Sequence, residues 1–239
     1  FGSIDTVVNR TQVVTSGIWS GDTGSLNVNS TYTSSYQQAS TSGKYYIDVY
    51  NQATSSTSAE VQFSIAYGDI LGYGAPTLTQ DQSSVLSTQA TYFQYANVLL
   101  DAATNYFSVY SGSVVNGYNL NNFYAININR ARYKERLDPG NISIKLKGSR
   151  GEVVLIDDSG ATNENVTAAG RVYNLVSGSL NIGTSTSATI AQYTDNYTKQ
   201  GFGLFYPDMG ILILNPNAFT GSVSSSLASA TTTTAAGVY

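Results

Sequence analysis

The sequence predicts a mainly β fold: antiparallel hairpins in sandwich-like sheets, with one short helix near residues 83–100 and extended termini. Three observations carry this. Short runs of Tyr, Ile, Val and Phe alternate with polar residues, the period of a half-buried strand. Gly, Asn, Asp and Ser cluster between those runs and supply turns. Only residues 83–100 show apolar spacing near that of a helix.

The elements follow in order. Residues 1–10 have little periodicity and read as an arm. Residues 11–19 read as a short strand containing Val13 and Val14, with Trp19, the only tryptophan, as a packing anchor. Residues 44–51 place Tyr45, Ile47 and Val49 on one face of a strand and Tyr46, Asp48 and Tyr50 on the other. Residues 60–68 repeat the pattern with Val61, Phe63, Ile65 and Tyr67, so the two runs should pair antiparallel. In the helix, Val85, Tyr92, Ala96 and Leu99 share a face, and Asp81 or Ser83 can cap the start. The Tyr92, Phe93, Tyr95 cluster reads as core. Residues 106–110 form a short strand, and 112–122 a polar loop.

Residues 122–147 read as strand, tight turn, strand. Arg130, Arg132, Lys134 and Arg136 fall at every second position, so on a continuous strand they would share one face. Asp138, Pro139 and Gly140 then form a type II turn, because Pro139 presets φ and Gly140 accepts a positive one. Ile142, Ile144 and Leu146 alternate after it. Residues 152–156 and 171–176 are further strands. Asp157-Asp158-Ser159-Gly160 reads as a turn, since the acidic ladder of a calcium loop is missing. Residues 202–214 are the most apolar run, split by Pro207-Asp208 into a buried hairpin. Residues 220–237 are a Ser/Thr/Ala tract with too few apolar side chains for a core. The expected organisation is an arm-and-hairpin region over 1–80, a β-rich main region over 81–220 and a tail over 221–239.

Composition narrows the chemistry. The chain has 239 residues, net charge −4 and only 11% charged residues, against ~25% in ordinary soluble proteins. Its 19 tyrosines suit partly buried contact surfaces. It has no Cys and no His. Disulfides, thiolate metal sites and Ser–His or Cys–His nucleophiles are therefore excluded within the chain. The first ten residues lack a basic start followed by an apolar run, so no signal peptide is expected. No apolar run reaches the ~20 residues that span a bilayer, so no membrane partner is expected.

Seven of the 11 cations lie between Arg130 and Arg150. Such a strip can be a solvated face or a socket for an acidic protein surface. Nucleic acid is the least favoured partner, because the chain as a whole is acidic. Arg130, Arg132, Tyr133, Lys134 and Arg136 are thus the candidate interface residues. No catalytic, cofactor-binding or metal-binding residue is assigned, and no cofactor is expected.

Five blocks together resemble one family: residues 9–26, 59–74, 123–141, 171–179 and 203–218, with NRARYKERLDPGN (129–141) the most distinctive. The ensemble is similar to virion structural proteins of contractile-tailed, T4-like phages, especially those of marine cyanobacteria. That resemblance implies a place in the phage particle, in the tail or baseplate, and no chemistry. One departure is Tyr67-Gly68-Asp69, where a Tyr-Gly-His or Tyr-Gly-Lys type segment is expected. The expected function is thus a structural, non-enzymatic subunit that oligomerises and docks on other virion proteins. The expected partners are itself and those proteins, with no small-molecule substrate. The alternative is an adhesin module that binds a receptor or glycan through Tyr, Asn and Asp. A glycan-cleaving enzyme with paired carboxylates is not expected, because Asp157 and Asp158 are adjacent and so face opposite ways.

Overall fold

The structure is a computed structural model that describes residues 8–14, 46–50, 54–72, 87–112, 114–133, 135–148, 151–160, 165–178, 193–194, 199–219 and 229–236. It is mainly β and every strand pairing is antiparallel. The strands are β1 (Val8–Val14), β2 (Tyr46–Tyr50), β3 (Val61–Asp69), β4 (Ser108–Ser111), β5 (Val114–Asn119), β6 (Asn122–Ile128) and β7 (Ile142–Gly148). They continue with β8 (Gly151–Asp157), β9 (Asn165–Thr167), β10 (Gly170–Ser177), β11 (Gly203–Tyr206), β12 (Ile211–Leu214) and β13 (Ser229–Ala236). Helix α1 is Ser87–Leu99, and a single turn, α2, is Pro216–Phe219.

One 11-stranded sheet runs β1-β13-β7-β8-β10-β11-β12-β6-β3-β2, with β9 paired beside β10. β4 and β5 form a separate hairpin. The sheet curls, because Val49 and Phe63 near one end share a core with Ile144 and Leu146 near the other. The opposite face is covered by α1 and the β4–β5 hairpin through Tyr92, Ala96, Leu99, Phe107 and Val109. Central strands therefore have two buried faces. In β12, Leu212 and Leu214 enter the first core while Ile211 and Ile213 enter the second. Phe205 and its neighbours Leu204 and Tyr206 divide the same way in β11. This is why residues 202–214 lack the alternation of a one-sided strand. The expected hairpin is present, closed by the Gly210 N–H donating to the Pro207 carbonyl at 3.3 Å.

α1 approaches β3 closely at Gly68. A Cβ there would lie 2.8 Å from the Phe123 ring and 3.1 Å from the Tyr92 backbone, so only glycine fits. The Tyr92 hydroxyl donates to the Leu120 carbonyl within the same core at 2.7 Å. The pairing expected for residues 44–51 and 60–68 is β2 with β3. β3 in turn bonds β6 along seven residue pairs, from Phe63↔Ile128 to Asp69↔Asn122.

Three expectations are corrected. Residues 112–122 hold strand β5, which the polar composition hid: Val114 and Val115 face outward and leave no apolar alternation toward a core. The 220–237 tract holds β13, whose backbone bonds both β7 and β1. Backbone pairing needs no apolar side chain, so composition alone could not show it. The third correction concerns residues 130–136 and is taken up with the site. Trp19, Lys134 and the start of the expected helix (83–86) lie outside the described residues.

Candidate functional site

The basic strip is not a strand face. β6 ends at Ile128, and Arg130–Arg132 form a single 3-10 turn. Asn129 causes the break. Its side-chain oxygen accepts from the Ala131 N–H at 3.0 Å, its N–H donates to the Gln62 carbonyl at 2.9 Å, and its amide donates to the Val61 carbonyl at 3.2 Å. A short side chain that bonds its own backbone competes with the sheet ladder and bends the chain. On the other side of β6, β12 pairs only as far as Asn127, so the ladder ends there too.

The cations consequently diverge. Arg130 lies 4.5 Å from the centre of the Tyr133 ring and donates to the Tyr133 carbonyl at 3.1 Å. Arg132 pairs with Glu60 at 2.8 Å. Arg136 and Glu135 are exposed. Tyr133 turns inward, 9% exposed, and donates to the Met209 carbonyl at 3.1 Å. Burial pushes its phenol up, and the Arg130 charge partly offsets this. Leu137 is buried and donates its N–H to the Pro207 carbonyl at 3.0 Å. Two of the candidate cations thus brace the loop between β6 and β7, and Arg136 is left facing solvent.

The turn after the strip is built as expected. Gly140 has φ +86° and the Asn141 N–H donates to the Asp138 carbonyl at 3.3 Å. Its anchor was not foreseen. The Asp157 carboxylate accepts from the Gly140 N–H at 2.9 Å and from the Ser159 N–H at 3.1 Å. Burial pushes that carboxyl up from its ordinary value, and the bonds from Ser159 and Gly140 pull it back part of the way. Asp158 points elsewhere and accepts from the Asn174 backbone and side-chain N–H groups, both at 2.8 Å. Each acid fastens a different part of the backbone. Among the described residues no three acids gather to hold a metal ion.

Among the described residues, two clefts open on the surface. The first, about 470 Å³, lies where α1 stops covering β2, β3 and β6. Its floor is a polar row in register across three strands: Asp48 opposite Ser64, and Ser64 opposite Asn127. Ser64 donates to the Asp48 carboxylate, and Asn127 donates to the Tyr95 hydroxyl at 2.8 Å. Tyr95 is fixed edge-on against Phe123, with ring centres 5.6 Å apart. Burial pushes its phenol up to about 12, with the Asn127 bond opposing. Tyr46, 41% exposed, forms one wall, and Thr91, Gln94 and Asn129 complete the polar lining. The sequence held one signal for this row. Ser64 and Asn127 sit on the strand faces opposite Ile65 and Ile126, but their alignment depends on the register between strands.

The second cleft, about 480 Å³, lies between the β4–β5 hairpin and β9. Tyr106, Val115 and Val166 line it, at 39%, 52% and 66% exposed. No family model, curated protein or solved structure matches the chain.

Proposed function

We propose that this chain is a non-enzymatic structural subunit of a contractile-tailed phage particle, sited in the tail or baseplate. It acts by self-association and by docking on neighbouring virion proteins. The observation that carries this reading joins sequence to topology. Four of the five blocks similar to T4-like virion proteins contain β3, β6, β10 and the β11–β12 hairpin. Those strands are consecutive neighbours in the sheet, β10-β11-β12-β6-β3. For these four blocks the resemblance falls on one continuous hydrogen-bonded unit, as expected where a folded framework is shared, while the fifth, residues 9–26, carries most of β1 at the far edge of the sheet. The low charge fits a chain that spends its surface on contacts.

In this reading the exposed Arg136 meets an acidic neighbour, while Arg130 and Arg132 hold the loop that presents it. The test is mass spectrometry of purified, fractionated particles from the source of this chain, with and without Arg136→Glu. The expected result is the chain in the tail fraction at fixed copy number, with less of the variant incorporated. A chain that never co-purifies with particles overturns the proposal. Normal incorporation of the variant removes the role of Arg136 alone.

A further inference from the structure

We propose that the cleft between α1 and strands β2, β3 and β6 binds an uncharged sugar. This goes beyond a structural role and does not rest on it.

The first argument is the pattern of polarity. On the α1 side of the sheet, the positions next along β3 and β6 from the cleft are Ala66 and Ala125, both buried beneath the helix. One register step away, the same face carries Ser64 and Asn127, continued on β2 by Asp48. On β3 and β6 together the face thus changes from apolar to hydrogen-bonding where the helix cover ends, while on β2 the residue opposite Ala66 is the exposed Tyr46.

The second argument is preorganisation. Ser64 holds Asp48, Asn127 holds Tyr95, and Asn129 is fixed by backbone bonds at three atoms. A ligand meeting these groups does not have to immobilise them, which removes a usual cost of binding. The fixed groups still have capacity. Tyr95 accepts from Asn127, so its own O–H remains a donor. The amide of Asn127 spends one N–H on Tyr95 and has a second N–H and a carbonyl oxygen. Gln94 offers a complete amide from an exposed position on α1.

The third argument is ligand class. Paired donors and acceptors match hydroxyl groups, which both give and take hydrogen bonds. Tyr46 presents an exposed ring, and the electron-rich face of an aromatic ring attracts the C–H face of a pyranose. Of the described lining residues only Asp48 carries a formal charge, and it is negative. No described lining residue is a cation that could pair with a phosphate, a sulfated or sialylated glycan, or a nucleic acid. The volume, about 470 Å³, lies within the usual ~300–1,000 Å³ of small-ligand sites.

The test uses the whole chain and saturation-transfer NMR against glucose, galactose, mannose, N-acetylglucosamine and N-acetylgalactosamine, with sialic acid and glucose 6-phosphate as anionic comparators. At least one neutral sugar should receive transfer, and the anionic ones less. Tyr46→Ala, an exposed position, should weaken binding about tenfold, the scale of one lost aromatic stacking contact, with an unchanged melting temperature. Asn127→Leu should abolish binding. Val166→Ala, in the other cleft, should leave it unchanged. No transfer to any neutral sugar overturns the proposal. So does equal binding by Tyr46→Ala, or a preference for the anionic sugars. Because particle incorporation is measured separately, a sugar-free result leaves the virion reading standing.

Discussion

Asp157 sits where β8 ends, and its carboxylate closes the turn from Asp138 to Asn141 through the Gly140 N–H. It also fixes the start of its own turn through Ser159. Both donors depend on one side chain that is 4% exposed. Removing a charged acceptor from these half-buried donors costs about 1–3 kcal/mol. Asp157→Ala should lose that much in urea unfolding, and Asp157→Asn less, since an amide oxygen still accepts. Equal losses would mean that packing, and not the accepted hydrogen bonds, is what the residue supplies. Asp138, Pro139 and Gly140 were legible as a turn because φ preferences are local. Their anchor was not, since Asp157 lies 17 residues from Gly140.

At the scale of elements, helix α1 is held by a short list of contacts. Tyr92, Ala96 and Leu99 enter the core, and Gly68 on β3 lets the helix backbone come close. Gly68→Val should push α1 away from the sheet and cost about 1–3 kcal/mol, the usual penalty of overpacking. Thermal unfolding would show the loss. Because the cleft lies along the edge of α1, the same variant should weaken any sugar bound there. The helix itself was legible from the spacing of Tyr92, Ala96 and Leu99. The end of β6 was not. The alternation through Arg136 reads as a strand, but Asn129 bonds its own turn and β12 offers no further partner. A period-2 pattern reports what a strand would look like, and pairing decides whether there is one.

For the whole molecule, the tyrosines set an alkaline limit. Tyr67, Tyr92, Tyr124 and Tyr206 are at most 6% exposed. Burial raises each phenol above its ordinary 10.0, Tyr92 to about 12 and the other three further. The sign follows from linkage. Below pH 10 both folded and unfolded chains keep these protons. Above it the unfolded chain releases them and the folded chain does not, so stability falls by about 1.4 kcal/mol per pH unit for each tyrosine. Four together exhaust an ordinary ~5–15 kcal/mol within a few pH units. A cooperative rise in phenolate absorbance should therefore coincide with the loss of strand circular dichroism above pH 10. Complete ionisation of all 19 tyrosines in a chain that keeps its strand circular dichroism would show that these rings are not sealed.

By itself, the sequence determined the β class, the two hairpins of residues 44–68 and 202–214, the helix and the Asp138–Asn141 turn. Each follows from preferences that act within a few residues: alternation, helical spacing and the φ limits of Pro and Gly. Only the tertiary structure decided how the strands are ordered, that β13 joins the sheet between β7 and β1, and that Arg130 and Arg132 brace a loop. It also decided that Asp48, Ser64 and Asn127 form one row. They are 16 and 63 residues apart along the chain, and register between strands, which no local preference encodes, brings them together.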